Sequence, residues 1–269
     1  MLRAADLTFG YGNMPVVRGV SLDVPPDGFV GIIGPNGSGK TTLLRLLAGT
    51  LRPDTGEVTL DGRRLAGEPR AAVARRLAVV PQETHLAFEY TVLEVVLMGR
   101  YVHLGPFEIE GPADIEIARQ SLEATGTLAL QERDFSTLSG GEKQRVIIAA
   151  AIAQIADRGV GHGAVLLLDE PTAALDLRYQ LEVADLLARL HRSHALSVVI
   201  STHDLNFAAS LCGTLVLLKD GQLLAAGGVD EVLTPALIGE LYDVDADVTR
   251  HPRTGHLTVM PVRRSGRRP

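Results

Sequence analysis

Gly34-Pro35-Asn36-Gly37-Ser38-Gly39-Lys40-Thr41-Thr42 fits the pattern G-x-x-x-x-G-K-[ST]. In such a loop, glycines let successive backbone N–H groups turn toward phosphate oxygens, and the start of a following helix adds partial positive charge. Lys40 is placed to reach the β and γ phosphates of a nucleotide, and Thr41 to ligate magnesium. The alternative is a plain glycine turn, but the chain has only three lysines, at 40, 143 and 219, and one fills this slot. Asp169 and Glu170 close the apolar run Val165-Leu166-Leu167-Leu168. Asp169 is the carboxylate expected on the metal side, and Glu170 is placed to accept a proton from, or to orient, a water attacking the γ phosphate. Taken alone, the pair also reads as acidic residues of a solvated loop.

These residues need elements to hold them. Phe29 to Ile33 is a continuous apolar run, as expected of a strand covered on both faces, and it leads into the glycine loop. Leucines at 43, 44, 46 and 47 then predict a helix over 42–51, broken by Arg52-Pro53-Asp54-Thr55-Gly56. Val165 to Leu168 and Leu196 to Ile200 are further buried-strand candidates, separated by a helical stretch over 177–192, so strand-helix-strand order resumes there. The first thirty residues alternate apolar and polar between Gly and Pro punctuation, which predicts short antiparallel strands. Between 84 and about 150, Leu93, Val96, Leu97 and then Ile115, Ala118, Leu122 recur at helical spacing. Leu215 to Leu218 turns at Lys219-Asp220-Gly221 into a second strand, and the tail from Asp247 reads as a last hairpin ending in arginines.

Length and composition limit the classes. The chain has 269 residues, 46% hydrophobic and 22% charged, which is the balance of a folded globular protein and excludes disorder as its main state. A net charge of −6 has the wrong sign for a general nucleic-acid binder, so no nucleic-acid partner is expected. One cysteine, Cys212, cannot form an intrachain disulfide, and the start has no secretory pattern, so the cytoplasm is the expected compartment. No apolar stretch approaches the ~20 residues of a spanning helix, so any membrane role comes through a partner.

Leu138-Ser139-Gly140-Gly141-Glu142-Lys143-Gln144-Arg145, ahead of Asp169, resembles the signature of ATP-binding cassette ATPases, a far more specific mark than the phosphate loop. The rest of that family's set follows in order: Tyr11 where an aromatic stacks on adenine, Gln82 after Val80-Pro81, Asp176 after Ala174-Leu175, and His203 in Ser201-Thr202-His203-Asp204. The resemblance implies an α/β fold: a P-loop NTPase (RecA-like) core, an N-terminal antiparallel β subdomain and an inserted α-helical subdomain. Residues 1–83 and 151–246 are then the core, 84–150 the helical subdomain ending in the signature helix, and 247–269 a C-terminal hairpin and basic tail. It also implies that ATP and Mg2+ are bound, that Gln82 joins Thr41 and Asp169 at the metal, and that His203 holds the γ phosphate. Ser139 and the Gly140 and Gly141 amides make a second anion site at a helix start. In the family one subunit's signature closes over ATP on the other's loop, which implies a head-to-tail homodimer. Read singly, Tyr11 has an alternative as a strand-edge aromatic and Gln82 as a satisfied loop residue, while a lone histidine at 203 is more often structural.

Two features depart from the family pattern. The stretch 155–163 is longer than the usual minimum, and Ala149-Ala150-Ala151 lacks an arginine many relatives carry there. One phosphate loop, one signature and no spanning helix suggest a separate ATPase subunit. Leu97-Met-Gly-Arg100-Tyr-Val-His-Leu-Gly105, the run 174–183 and the tail hairpin resemble ATPase subunits of iron-siderophore, heme and cobalamin importers. The partners implied are polytopic permease subunits and, indirectly, a substrate-binding protein, with the chain peripheral on the inner face of the cell membrane. A soluble remodelling ATPase of the same class, or an exporter's ATPase subunit, is the alternative.

Overall fold

The computed structural model describes residues 1–264 apart from 85, 157–162, 174 and 195. The chain divides into two compact units, Met1–Ala66 with Val199–Pro269, and Gly67–Val198. The helical segment 84–150 falls wholly inside the second, while the residues before and after it are shared out differently from the sequence segments.

In the first unit, β1 (Leu2–Tyr11) and β2 (Met14–Val24) pair antiparallel, with Leu2, Ala4 and Leu7 opposite Val24, Leu22 and Val20 on a buried face. The strands are longer than the short ones the Gly and Pro spacing suggests. Bulges, rather than turns, absorb the irregular residues. β3 (Phe29–Ile33) is buried at all five positions. α1 (Lys40–Leu47) starts inside the glycine loop, earlier than the leucine pattern indicates, and stops before Gly49, whose φ of 69° is the left-handed end that suits glycine. β4 (Thr55–Leu60) joins β1 antiparallel, and the two-residue β5 (Arg63–Arg64) completes the order β2-β1-β4-β5. Gly56 is obligatory there: a Cβ would lie 2.3 Å from the Asp6 carbonyl oxygen, and its φ is 84°.

The second unit contains α2 (Arg70–Ala74), β6 (Leu77–Val80), α3 (Val92–Leu97), α4 (Pro112–Ala124), α5 (Gly140–Ile155), β7 (Val165–Asp169), α6 (Leu177–His194) and the first residues of β8 (Ser197–Thr202). β6 and β7 run parallel, Leu77 beside Val165 and Val80 beside Leu168. The helices share a core that includes Val92, Val96, Leu122, Phe135, Val146 and Ala153. α5 runs past residue 150 because Ile152, Ala153 and Ile155 continue its buried face. Its C-terminal end is held by side chains with no signal in the hydrophobic pattern. The Arg100 guanidinium, 3% exposed, donates to the Ala153 and Ala156 carbonyls at 2.6 Å each and pairs with Asp114 at 3.1 Å. Gln154 Nε2 donates to the Ala74 and Leu77 carbonyls, so the same helix end is fastened to the start of β6.

The chain then returns to the first unit with α7 (Leu205–Leu211), β9 (Thr214–Lys219), β10 (Gln222–Gly228), α8 (Val229–Val232), α9 (Pro235–Tyr242), β11 (Val244–Arg250) and β12 (Leu257–Arg264). β10, β9, β3 and β8 lie side by side in that order, β9 parallel to β3 and antiparallel to β10 across the Asp220-Gly221 turn. β11 and β12 form the last hairpin, with Val248 opposite Val259; it begins at Val244, a little before the expected start. The arginine tail past 264 and most of the long stretch 155–163 lie outside the described residues.

Candidate functional site

In the first unit the glycine loop bridges β3 and α1. Gly37 (φ 81°) and Gly39 (φ 100°) adopt backbone that a side chain resists, and a Cβ on Gly39 would also press the Val16 carbonyl of β2 at 2.8 Å. Nothing lies within 4 Å of the place a Gly37 Cβ would take, and Asn36 and Gly37 form the exposed tip. No side chain caps α1 at Gly39, so its first N–H groups face the loop without an acceptor supplied by the N-cap. Lys40 is 5% exposed, its ammonium donating to the Gly34 and Pro35 carbonyls at 2.9 and 3.2 Å. Gly221 N donates to the Ser38 carbonyl and Arg18 N to the Gly221 carbonyl, so the β9–β10 turn and β2 brace the loop from outside. The Ser38 hydroxyl is buried and has no hydrogen-bond partner among the described residues. Thr42, four residues on, is buried, and Thr41 is half-buried.

Tyr11 stands at the β1–β2 turn, half exposed, with its ring edge-on to Phe9 at 5.0 Å. It belongs to the hairpin whose Val16 carbonyl meets the loop at Gly39. His203 follows β8 and is exposed; Asp204 behind it caps α7, its Oδ1 accepting from Asn206 N and Phe207 N at 2.9 Å each.

In the second unit the parallel register of β6 and β7 sets Val80 beside Leu168. Gln82 and Glu170 each lie two residues beyond that pair, so they emerge at one sheet edge with Asp169 between Leu168 and Glu170. β6 is an element that the sequence pattern leaves out; its one signal there is the short apolar run Leu77-Ala-Val-Val80. Asp169 is buried, 6% exposed. Glu170 has φ 45°, left-handed backbone that a non-glycine residue adopts only under constraint, and the turn behind it is closed by Ala173 N donating to the Glu170 carbonyl.

The signature residues open α5 in the same unit. Ser139 is its N-cap: Ser139 Oγ accepts from Glu142 N at 3.4 Å, while Glu142 Oε2 accepts from the Ser139 amide and hydroxyl at 2.8 Å each. The Ser139 backbone N–H, and then its hydroxyl, hold the Glu142 carboxyl below the ordinary carboxylate range. The Ser139 hydroxyl proton is thus committed locally, and Gly140 is the exposed residue that follows it. A Cβ on Gly141 would collide with the Tyr179 ring at 2.5 Å, and one on Gly140 would touch Leu175 at 3.5 Å. The signature glycines therefore pack against the segment that carries Asp176, itself exposed ahead of α6. Arg145 of α5 and Glu182 of α6 are ion-paired across this contact.

Residues 17–173 match the protein family described as ABC transporter. The chain is 44% identical over 262 residues to the hemin import ATP-binding protein HmuV of Gloeobacter violaceus, covering 97% of this chain and 94% of that protein. It is 36% identical to the ferric enterobactin transport ATP-binding protein FepC of Escherichia coli, over 98% of this chain and 95% of that one. Its fold matches, at a TM-score of 0.83 and 30% identity, a chain from an inward-facing metal-chelate type ABC transporter, covering 97% and 96% of the two chains.

Proposed function

Since the chain belongs to the ABC transporter family of ATP-binding subunits, we propose that it powers import of an iron-siderophore, heme or cobalamin-type cargo by hydrolysing ATP at the residues described above. The observation that carries the cargo class is the end-to-end match, 97% and 98% of this chain, to subunits named for hemin and ferric enterobactin. Likeness confined to the phosphate loop and signature would fit any ATP-driven cassette equally well. The fold is that of an ABC ATPase cassette, and ATP binding follows from the family.

The loop Gly34–Thr42 suits a triphosphate: it offers open space at Gly37, uncapped N–H groups at α1 and the unpartnered Ser38 hydroxyl. Lys40 would carry its charge to the β and γ phosphates, and Tyr11 would offer its exposed ring to adenine. Among the described residues no three His, Cys, Asp or Glu side chains form a metal cage. The donors proposed for Mg2+, the hydroxyl of Thr41, the amide oxygen of Gln82 and the carboxylate of Asp169, are all oxygen, as that ion requires when phosphates complete its shell. The cation supplies charge neutralisation on the phosphate oxygens. Glu170, held in its constrained backbone, would orient a water and accept its proton, and His203 would donate to the γ phosphate. The exposed start of α5, with Ser139, Gly140 and Gly141, would close on nucleotide held by a second copy, with Asp176 beside it.

The chain is proposed to dimerise, as a bacterial ABC transporter cassette of similar fold does, and to work with membrane permease subunits; among the described residues no helix is long and apolar enough to cross a membrane. The proposed setting is the inner face of the cell membrane, on a polytopic permease that receives cargo from a substrate-binding protein. The test is affinity capture of tagged Glu170→Gln protein from detergent-solubilised native membranes in MgATP. The expected result is a coeluting polytopic chain, with bound iron, heme or corrin. A dimer with intact ATP binding and no membrane chain would overturn the importer reading in favour of soluble remodelling.

A further inference from the structure

The C-terminal hairpin makes a specific polar attachment to the segment that follows His203. Asn206, in the first turn of α7, forms a reciprocal pair with one residue of β12: Val259 N donates to Asn206 Oδ1 at 2.8 Å, and Asn206 Nδ2 donates to the Val259 carbonyl at 3.3 Å. A side-chain amide here does what a neighbouring strand would do, satisfying both backbone groups of a residue that is buried in the hairpin. Asn206 N in turn donates to Asp204 Oδ1, and Asp204 N to Thr202 Oγ1 at 3.0 Å, so the hairpin is linked by hydrogen bonds to the residues on both sides of His203.

A second attachment arrives from α9. The Tyr242 hydroxyl donates to the His203 carbonyl at 3.3 Å. Tyr242 is the last residue of that helix, and Asp243 ends it in left-handed backbone, φ 56°. Lys219 at the end of β9 donates to the Glu240 carbonyl and to Asp243 Oδ1, which fastens the helix end to the strand beside β3. β3 leads into the phosphate loop, so the loop and the His203 backbone are referenced to one sheet through two routes.

We propose that Asn206 and Tyr242 are positioning residues for hydrolysis: with the hairpin, they fix the backbone of His203 so that its imidazole meets the γ phosphate. The hairpin is thus a working part of the ATPase site and not an appendage. The inference rests on the reading of His203 as the γ-phosphate ligand. The Tyr242 bond holds the His203 carbonyl directly, and the Asn206 pair ties the helix turn that follows His203 to the Val259 backbone, so their loss leaves the imidazole present but less well aimed. Misaiming a transition-state contact lowers kcat while ATP binding through the phosphate loop stays as it was.

The experiment is a double-mutant cycle in the full chain, with steady-state ATPase and equilibrium ATP affinity measured for Tyr242→Phe, Asn206→Leu, His203→Ala and the two combinations with His203→Ala. Tyr242→Phe removes one oxygen and is the variant least able to disturb folding. Each single positioning variant is expected to lower kcat about fivefold, the scale of one lost hydrogen bond, with ATP affinity unchanged. On the His203→Ala background the same substitutions are expected to change kcat by less than about twofold, because the residue they act through is gone. Unchanged kcat in both single variants overturns the proposal, and so does an additive loss on top of His203→Ala, which would mark a general structural role. If His203→Ala itself leaves kcat at the wild-type value, the reading of His203 fails and the positioning role fails with it.

Discussion

Glu170 is the one non-glycine residue of the β7 edge held in left-handed backbone, at φ 45°. Such a conformation costs of order 1–3 kcal/mol and persists where surrounding contacts over-determine it; here Asp169 is buried before it and the Ala173 amide closes the turn behind it. The constraint fixes where the carboxylate leaves the sheet, as the water-orienting role proposed for it would require. Glu170→Gln keeps the size and the backbone while removing the proton acceptor. It is expected to bind MgATP with wild-type affinity and to lose about 10²-fold or more in kcat, read by steady-state hydrolysis beside equilibrium nucleotide binding. Turnover near wild type would reject the assignment. Cys212 has a different character: burial pushes its thiol well above the ordinary range, so it packs as a small apolar group with no thiolate chemistry.

At the scale of elements, α5 is held at both ends by polar side chains, and each end makes a prediction. At its start the Glu142 carboxylate accepts from Ser139 and has a lowered pKa. A lowered folded pKa means that the stabilisation is complete above the unfolded value of about 4.5 and is lost as pH falls through the lower folded value. An NMR titration should place the Glu142 midpoint below 4.5, and Ser139→Ala should raise it only part of the way, because the backbone N–H bond survives. At its C-terminal end Arg100 satisfies two carbonyls and Asp114 together. Arg100→Ala strips a buried ion pair and two charge-assisted bonds at once, and is expected to cost about 3–5 kcal/mol in denaturant unfolding. Gly99 beside it allows the approach: a Cβ there would stand 2.3 Å from the Ala150 carbonyl oxygen.

The glycine loop lies in one compact unit and the signature start of α5 in the other, and both are proposed above to meet nucleotide phosphates. If each serves nucleotide held by a different copy, the dimer should depend on ATP. Ser139→Arg puts a long cation at the exposed cap without touching the loop. It is expected to bind ATP as a monomer and to fail to dimerise, read by light scattering of Glu170→Gln and the Glu170→Gln/Ser139→Arg double variant in MgATP. Dimers of the double variant would count against the shared interface.

Residue identity and spacing are enough to mark the glycine loop, the Asp169-Glu170 pair and the family signature, because each is a pattern confined to a few consecutive residues. The buried strands β3, β7 and β8 were legible for a related reason: a strand covered on both faces must be apolar at every position. α1 departs from the leucine pattern at both ends, because its start is set by the glycine-loop geometry and its stop by the left-handed Gly49. β6 is not legible in the sequence because four apolar residues carry no period. The grip of Arg100 on α5, the packing of Tyr179 on Gly141, and the hold of Asn206 and Tyr242 on the His203 segment join residues between 38 and 56 positions apart. A hydrogen bond over such a span leaves no local pattern; only the folded backbone decides which carbonyl a distant side chain can reach.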